Sequence, residues 1–437
     1  MTETSKPESD PIEAVRTRCG CGGKTPLDRT VRPALAALRG ELPDVEITAE
    51  TEAGLLPNTE RLERSLPDTR RARNGVSSGV VAAAFVDPER GFDAEAFGSL
   101  LSEVYREWAG DGGPISIRKG HSIQLETASE STVWGEQFRS VGDCRDGYRA
   151  INVDVIHALP GVEPVTQAAV AAANALNDCY TQGAADDRDI RPVVGVPAPT
   201  TVDRDRVRQW YVDALGPDIG VREPSIVTHD GRGWQFGASA AASTDRKPPV
   251  DRDRIEPGDE LLIHRPLGAL ALYAGCVSGD CDIDDGTRRR AIEALSADHA
   301  PIARAIEATT PRAGERFDPV RHLKWAADVS GPGIGGLLDA VESAEYGVEL
   351  GTIPLLDRGA LAAVRDRWVV PDVTVETNGP IAAVGTTAAI DRFESRLSAV
   401  PLAAPARIGA VTATAGERRW DGNAGLEPYF KGGKREP

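Results

Sequence analysis

The sequence predicts an α/β (α+β) protein with two main domains and an inserted βαβ-like module, and three observations carry that expectation. Apolar runs of strand length alternate with helix-period stretches from Ser78 to about Ala415. A chain of 437 residues exceeds what one hydrophobic core serves, so it divides into two or three domains. The stretch 245–257, with three prolines and four acidic residues, has the composition of a linker between the last two blocks.

The elements follow in order. Residues 1–28 read as a flexible N-terminal segment, polar and acidic over Met1–Pro11, without the basic and apolar regions of a signal peptide. Residues 29–40 read as a short helix that belongs with the later block 141–250. Between them, 41–140 form the insertion: 41–76 are rich in Glu, Arg and Pro, then come a strand over Val80–Val86, an amphipathic helix over Phe92–Ala109 and a strand over Ile115–Leu125. The block 141–250 opens with a strand over Ala150–Ile156. An alanine-rich helix follows over about Glu163–Gln182, then strands at Pro192–Val196 and Trp234–Ser239 that flank a helix near Val207–Ala214. Residues 258–415 alternate helices and strands again, and 416–437 form a polar, glycine-rich tail. No repeat of fixed period is visible.

Charge narrows the partners. The formal net charge is −17, and only seven of the fifty basic residues are lysine. Such a surface disfavours nucleic acid and anionic membranes, and no apolar run reaches membrane-spanning length. Its carboxylate-rich, lysine-poor composition is that of salt-adapted proteins. Six scattered cysteines, Cys19, Cys21, Cys144, Cys179, Cys276 and Cys281, do not make a disulfide framework, so a reducing cytoplasm is expected.

The segment Cys19-Gly20-Cys21-Gly22-Gly23-Lys24 is the first candidate for chemistry. The thiolate is the reactive form of cysteine, a lysine three residues on lowers the thiol pKa, and glycines let backbone close around a small ligand. A metal-binding Cys-x-Cys pair and a tail with incidental cysteines stand beside that reading.

Several carboxylates form the second candidate. Asn174 and Asp178 are four apart on the alanine-rich helix and share a face, and Asp154 lies on the strand before it. Asp328 precedes the glycine-rich turn Ser330-Gly331-Pro332-Gly333, which opens a helix whose N-terminus favours an anion such as phosphate. Acidic side chains around phosphate call for a hard cation such as Mg²⁺ between them. Any one Asp in so acidic a chain is more often solvated surface, so only joint placement gives them weight. The turn is neither a Walker A loop nor a dinucleotide fingerprint.

Together these residues resemble selenophosphate synthetase (selenide, water dikinase) and the wider aminoimidazole ribonucleotide synthetase superfamily, over 12–40 and 141–415 and in the family's order. The family's nucleophilic Cys and essential Lys fall on Cys21 and Lys24. Its Asn-Ala-Ile-Ser-Asp helix falls on Asn174 to Asp178, its Thr-Thr-Asp strand end on Asn152-Val153-Asp154, and its Asp-Val-Thr-Gly-Phe-Gly loop on Asp328 to Gly333. Pro266-Leu267-Gly268 and Thr377-Asn378-Gly379-Pro380 match two later turns. The resemblance implies a two-domain aminoimidazole ribonucleotide synthetase-like architecture that binds ATP and Mg²⁺. Catalysis would fall to Cys21 and Lys24, cofactor binding to Lys24, Asp154, Asn174, Gly331 and Gly333, and metal binding to Asp143, Asp178 and Asp328. It further implies conversion of ATP, water and hydrogen selenide to selenophosphate, AMP and phosphate, in a homodimer, with a chalcogen-donor protein as a further partner.

Departures leave other functions open. The family's Asp-Asp-Ala-Ala-Val motif is absent, with Gly142-Asp143-Cys144 its best substitute and Asp146 second, and its Gly-Gly-His turn becomes Val227-Thr228-His229-Asp230. Sulfide or another sulfur donor in place of selenide is one alternative, and a non-catalytic ATP-binding chalcogen carrier is another. The insertion weakly resembles the ferredoxin-like half-domain of sulfite and nitrite reductases. It contains no cysteine, so it supplies no thiolate to an iron–sulfur cluster and reads as a docking or a stabilising module. Trp325 reads as an adenine platform or as core, Cys276 and Cys281 as a metal clip or an acidic loop, and the six histidines as surface or core.

Overall fold

The computed structural model describes residues 147–422, except 198, 230–233, 279–280, 313, 332, 343 and 367–372, together with strands at 45–48, 86–87, 91–92, 115–119, 123–127 and 140–144. The Cys/Lys segment therefore lies outside the described residues, as do Asp146 and most of the insertion.

Five short strands come from the insertion: β1 (Val45–Thr48), β2 (Val86–Asp87), β3 (Gly91–Phe92), β4 (Ile115–Lys119) and β5 (Ile123–Thr127). β1 runs parallel to β4, β4 pairs antiparallel with β5, and β2 pairs with β3. The single strand expected over 115–125 is thus two, with Lys119 opposite Ile123. A three-residue connection containing a glycine is an ordinary hairpin signal, overlooked when the apolar run is read as continuous. Phe92, expected to start a helix, ends β3; the rest of that helix lies outside the described residues.

The next elements are β6 (Ser140–Cys144), β7 (Gly147–His157), helix α1 (Pro164–Thr181), β8 (Asp186–Pro197), helix α2 (Arg204–Leu215), β9 (Gly220–Val221), β10 (Ser225–His229) and β11 (Gln235–Thr244). Their strands form a sheet in the order β10-β8-β11-β7-β6, with β9 beside β8. α1 starts at a proline, where the missing N–H is no loss, and its alanines combine high helix propensity with small volume. It is buried on nearly every face, as a helix enclosed on both sides must be. One side lies on β7 and β11; the other meets elements of the second half. Gly237 on β11 allows β7 to come close, because a methyl group there would overlap the Asp154 carbonyl oxygen.

The second half comprises β12 (Glu260–Ile263), helices α3 (Ala269–Ser278), α4 (Asp285–Leu295) and α5 (Ala300–Glu307), β13 (Trp325–Asp328), α6 (Ile334–Glu342), β14 (Gly347–Leu350), α7 (Arg358–Asp366), β15 (Ile381–Gly385), α8 (Thr387–Leu397), β16 (Ala406–Thr412) and β17 (Arg418–Trp420). Its sheet runs β13-β15-β12-β16-β14-β17, antiparallel except for the last pair. The linker expected at 245–257 does join the two sheets, yet it is fastened: the Lys247 amide donates to the Pro311 carbonyl at 2.7 Å and the Ala326 amide to Pro249 at 2.9 Å. Among the described residues, no helix is long and apolar enough to cross a membrane.

Candidate functional site

α1 crosses its sheet antiparallel to β7, which sets which carboxylates meet. Asn174 Nδ2 donates to Asp154 Oδ2, Asn152 Nδ2 donates to the Ala175 carbonyl at 2.9 Å, and the Cys179 thiol points to the Ala150 carbonyl at 3.7 Å. Asp178 therefore lies at the level of Ala150, about one turn beyond the Asp154–Asn174 pair. Both Asp154 and Asp178 are buried.

The second half supplies the opposite wall. β13 ends at Asp328, which pairs with Ile381, and the Val329 amide donates to the Pro380 carbonyl at 2.8 Å. The turn just before, Thr377-Asn378-Gly379-Pro380, is bonded to α1 from two sides. The Asn378 amide donates to Asn174 Oδ1 at 2.6 Å, and Asn177 Nδ2 donates to the Gly379 carbonyl at 2.9 Å. Asn378 adopts left-handed φ (+50°), a conformation that asparagine tolerates. Gly379 has no alternative, since a methyl group there would overlap the Val329 carbonyl oxygen. The structure thus brings Asp154, Asn174, Asp178 and the half-buried Asp328 to one junction between the two halves.

Asn174 has a role that its motif does not disclose. Its amide is committed at both ends, to Asp154 and to Asn378, so it positions the Asp154 carboxylate and the opposing turn. Asp143 stands in β6 opposite Tyr148, six positions ahead of Asp154, so its backbone lies toward the Asp178 end of α1. The glycine-rich turn does precede α6, with Gly331 and Gly333 buried and Gly333 at φ +61°. The first amide of α6 is occupied, however: Ile334 N–H donates to Thr374 Oγ1 at 3.1 Å.

A buried network behind this junction escaped sequence reasoning. Glu376, fully buried, accepts from the amides of Gly268 (2.5 Å), Ala269 (2.9 Å) and Leu270 (3.2 Å), closing the N-terminus of α3. Burial pushes its carboxyl upward, and the charge of Arg265 pulls against that shift. Arg265 Nη2 donates to the Asn378 carbonyl at 2.6 Å, and Asn378 Nδ2 reaches Leu295 and Ala297 at 3.0 and 2.9 Å. His299 Nδ1 meets Asn177 Oδ1 at 2.8 Å, His264 Nδ1 accepts from the Ile381 amide at 2.8 Å, and the two imidazoles lie edge to face, 4.6 Å between centroids. Two matched turns, Pro266-Leu267-Gly268 after His264 and Arg265 and Thr377-Asn378-Gly379-Pro380 after Glu376, border this cluster, but neither disclosed it.

Other candidates resolve differently. Trp325 is core, not an adenine platform: it is 3% exposed, and the adjacent buried Lys324 is paired with Glu256 and Asp259. Cys276 and Cys281 are unbridged thiols near Asp284, whose carboxylate caps α4 through the Thr287 amide at 2.9 Å. Among the described residues, no group of three or more His, Cys, Asp or Glu is placed to hold a metal ion. Mg²⁺ on a phosphate ligand usually takes only one or two carboxylates, with water and phosphate oxygens completing its shell. The hard oxygen donors of Asp154, Asp178 and Asp328 suit that mode in kind, and they do not form an all-protein cage.

No protein-family model matches the chain, and no curated protein matches it. Solved structures do. The protein tt0281 from Thermus thermophilus superposes with a TM-score of 0.50 at 15% identity, covering 64% of this chain and 88% of its own. Thiamine-monophosphate kinase from Stenotrophomonas maltophilia K279a gives 0.48 at 14% identity, over 74% and 96% of the two chains. The E. coli hydrogenase maturation protein HypE gives 0.48 at 15%, over 66% and 89%. The chain has the expected two-sheet α/β architecture of the aminoimidazole ribonucleotide synthetase-like fold.

Proposed function

We propose that this protein is an ATP-dependent phosphotransferase that converts ATP, water and a hydrogen chalcogenide, selenide in first place, to selenophosphate, AMP and phosphate. The supporting observation is the junction itself: Asn174 of α1 bonds Asp154 on one side and the Asn378 amide on the other, Asn177 bonds the Gly379 carbonyl, Asp178 follows on the same helix, and Asp328 ends the strand beside that turn. Those are the positions that the selenophosphate synthetase motifs assign to the nucleotide and its cation, and they come from segments at least 150 residues apart.

In this reading Asp178, Asp328 and Asp143 supply oxygens for Mg²⁺, while Asp154, Asn174, Gly331 and Gly333 shape the nucleotide site. When bound, the ion would neutralise charge that develops on the phosphates. Asn174 holds Asp154 in place, so that carboxylate is preorganised before ligand arrives. Lys24 offsets phosphate charge, and Cys21 delivers the chalcogenide, received from a donor protein, to the phosphorus. The working assembly is a homodimer. Sulfide replaces selenide in the second reading, which the altered metal motif and the insertion favour.

Anaerobic ATP turnover with Mg²⁺ in high salt tests this directly, comparing no chalcogenide, sulfide and selenide and resolving AMP from ADP. AMP that forms only with selenide is expected. AMP formed with sulfide shifts the assignment to sulfur chemistry, and ATP binding without turnover shifts it to a carrier. Asp178→Asn is expected to reduce turnover at least a hundredfold, on the order of the loss when a charge-stabilising group is removed, while the protein stays folded.

A further inference from the structure

A second cleft lies where β7 turns into α1. It encloses about 620 Å³, within the usual range for a small-molecule site, and its walls include Pro160, Gln167, Arg206, Trp210, Trp234 and Phe236. The three aromatic rings form one cluster, with centroids 6.3 Å apart for Trp210 and Trp234, 6.2 Å for Trp210 and Phe236, and 5.9 Å for Trp234 and Phe236. Arg206 sits over Trp210, 5.7 Å from the ring centroid, and keeps its guanidinium at the exposed rim. The Pro160 backbone is fixed from the other half of the molecule, as its carbonyl accepts from the Tyr273 hydroxyl.

The floor contains an unmet donor. Gln167 is 2% exposed, and its Oε1 accepts from the Leu159 amide at 2.6 Å, which settles the amide's orientation because that partner only donates. Its Nε2 has no hydrogen-bond partner among the described residues. A buried amide group without a partner is costly, and a ligand acceptor would relieve that cost. Gln167, Asn174 and Asp178 are spaced seven and four apart, so they fall on one stripe of α1, with Gln167 about 10 Å from Asn174.

We propose that this cleft binds a planar nitrogen heterocycle bearing an anionic substituent, of nucleoside monophosphate size. Trp210 and Trp234 supply the stacking surface, Gln167 Nε2 donates to a ring nitrogen or carbonyl, and Arg206 receives the anion at the rim. The donor selects acceptor-bearing rings over plain hydrocarbons, because only they satisfy it. The site stands apart from the carboxylate junction and does not depend on the chalcogenide reading.

Tryptophan fluorescence and calorimetric titration of the full-length protein, in Mg²⁺-free buffer with EDTA, test the assignment with AMP, GMP, CMP, UMP and nicotinate. At least one is expected to bind and quench. Gln167→Glu keeps the acceptor for Leu159 and replaces the donor with a second acceptor, so at pH 8 it should weaken that ligand about tenfold or more. Arg206→Gln should weaken a nucleotide to the level of its nucleoside, and Asp178→Asn should leave binding intact. Failure of every probe to bind overturns the proposal. So does unchanged affinity in a folded Gln167→Glu protein, equal binding of indole, or loss confined to Asp178→Asn. Should Gln167→Glu not fold, Trp210→Ala, at a half-buried position, carries the same expectation of lost affinity.

Discussion

Asn177 shows how much one side chain does at the junction. It is fully buried, donates to Gly379 and accepts from His299, so both of its bonds cross from the first half to the second. Asn177→Leu keeps the volume and removes both, leaving a carbonyl and an imidazole N–H buried without partners. At roughly 1–3 kcal/mol for each orphaned group, the expected loss is about 2–6 kcal/mol, measured as a shift in urea midpoint. The two histidines add a pH dependence. Burial first, then the nearby Arg265 charge for His264 and the charges of His264 and Arg265 for His299, hold both imidazoles well below their usual 6.5. The folded protein therefore refuses two protons that the unfolded chain accepts as pH falls below about 6.5. Stability is full above that value and falls below it, by about 2.7 kcal/mol per pH unit for two protons. Urea midpoints between pH 7.5 and 5.5 check the slope, and a His264→Gln/His299→Gln protein should lose it. In the sequence these histidines are 35 residues apart with no metal-ligand spacing, so nothing local announced their contact.

At the scale of elements, the sequence was readable where the cause is local. The Ala150–Ile156 strand, the alanine-rich helix and the turn into α6 are set by periodicity, propensity and glycine, and they stand within a few residues of where those signals put them. Closure of α3 is different. Its first amides are held by Glu376, more than a hundred residues away, so no capping residue next to the helix marks its start. Glu376→Ala should orphan these amides and leave the buried Arg265 guanidinium without its opposing charge. Each buried amide left without its acceptor costs about 1–3 kcal/mol, which thermal denaturation would register as a large drop in Tm. Glu376→Gln keeps an acceptor and should cost less. A solvated, surface Glu376 would instead give near-neutral variants, so the comparison tests the burial itself.

For the molecule as a whole, the order of motifs along the chain was legible, and so were the two sheets; the way the halves lock was not. Asp154, Asn174 and Asp178 are near one another in sequence, whereas Asp328 and Asn378 join them only through folding. The lock is α1, which packs on β7 and β11 and also on β13, α4 and α5. A helix buried on both sides is core to both halves, so neither half keeps its packing if the other opens. Calorimetry of the full chain is therefore expected to give one transition across 147–422, with its van't Hoff and calorimetric enthalpies equal for that unit. Two separated transitions would mean that the bonds of Asn174 and Asn177 to the 377–380 turn do not hold in solution. The same interface bears on chemistry, because Asp178 and Asp328 stand on opposite sides of it. If Asn177→Leu splits the transition, ATP turnover should fall with it even though no residue proposed to touch phosphate has been changed.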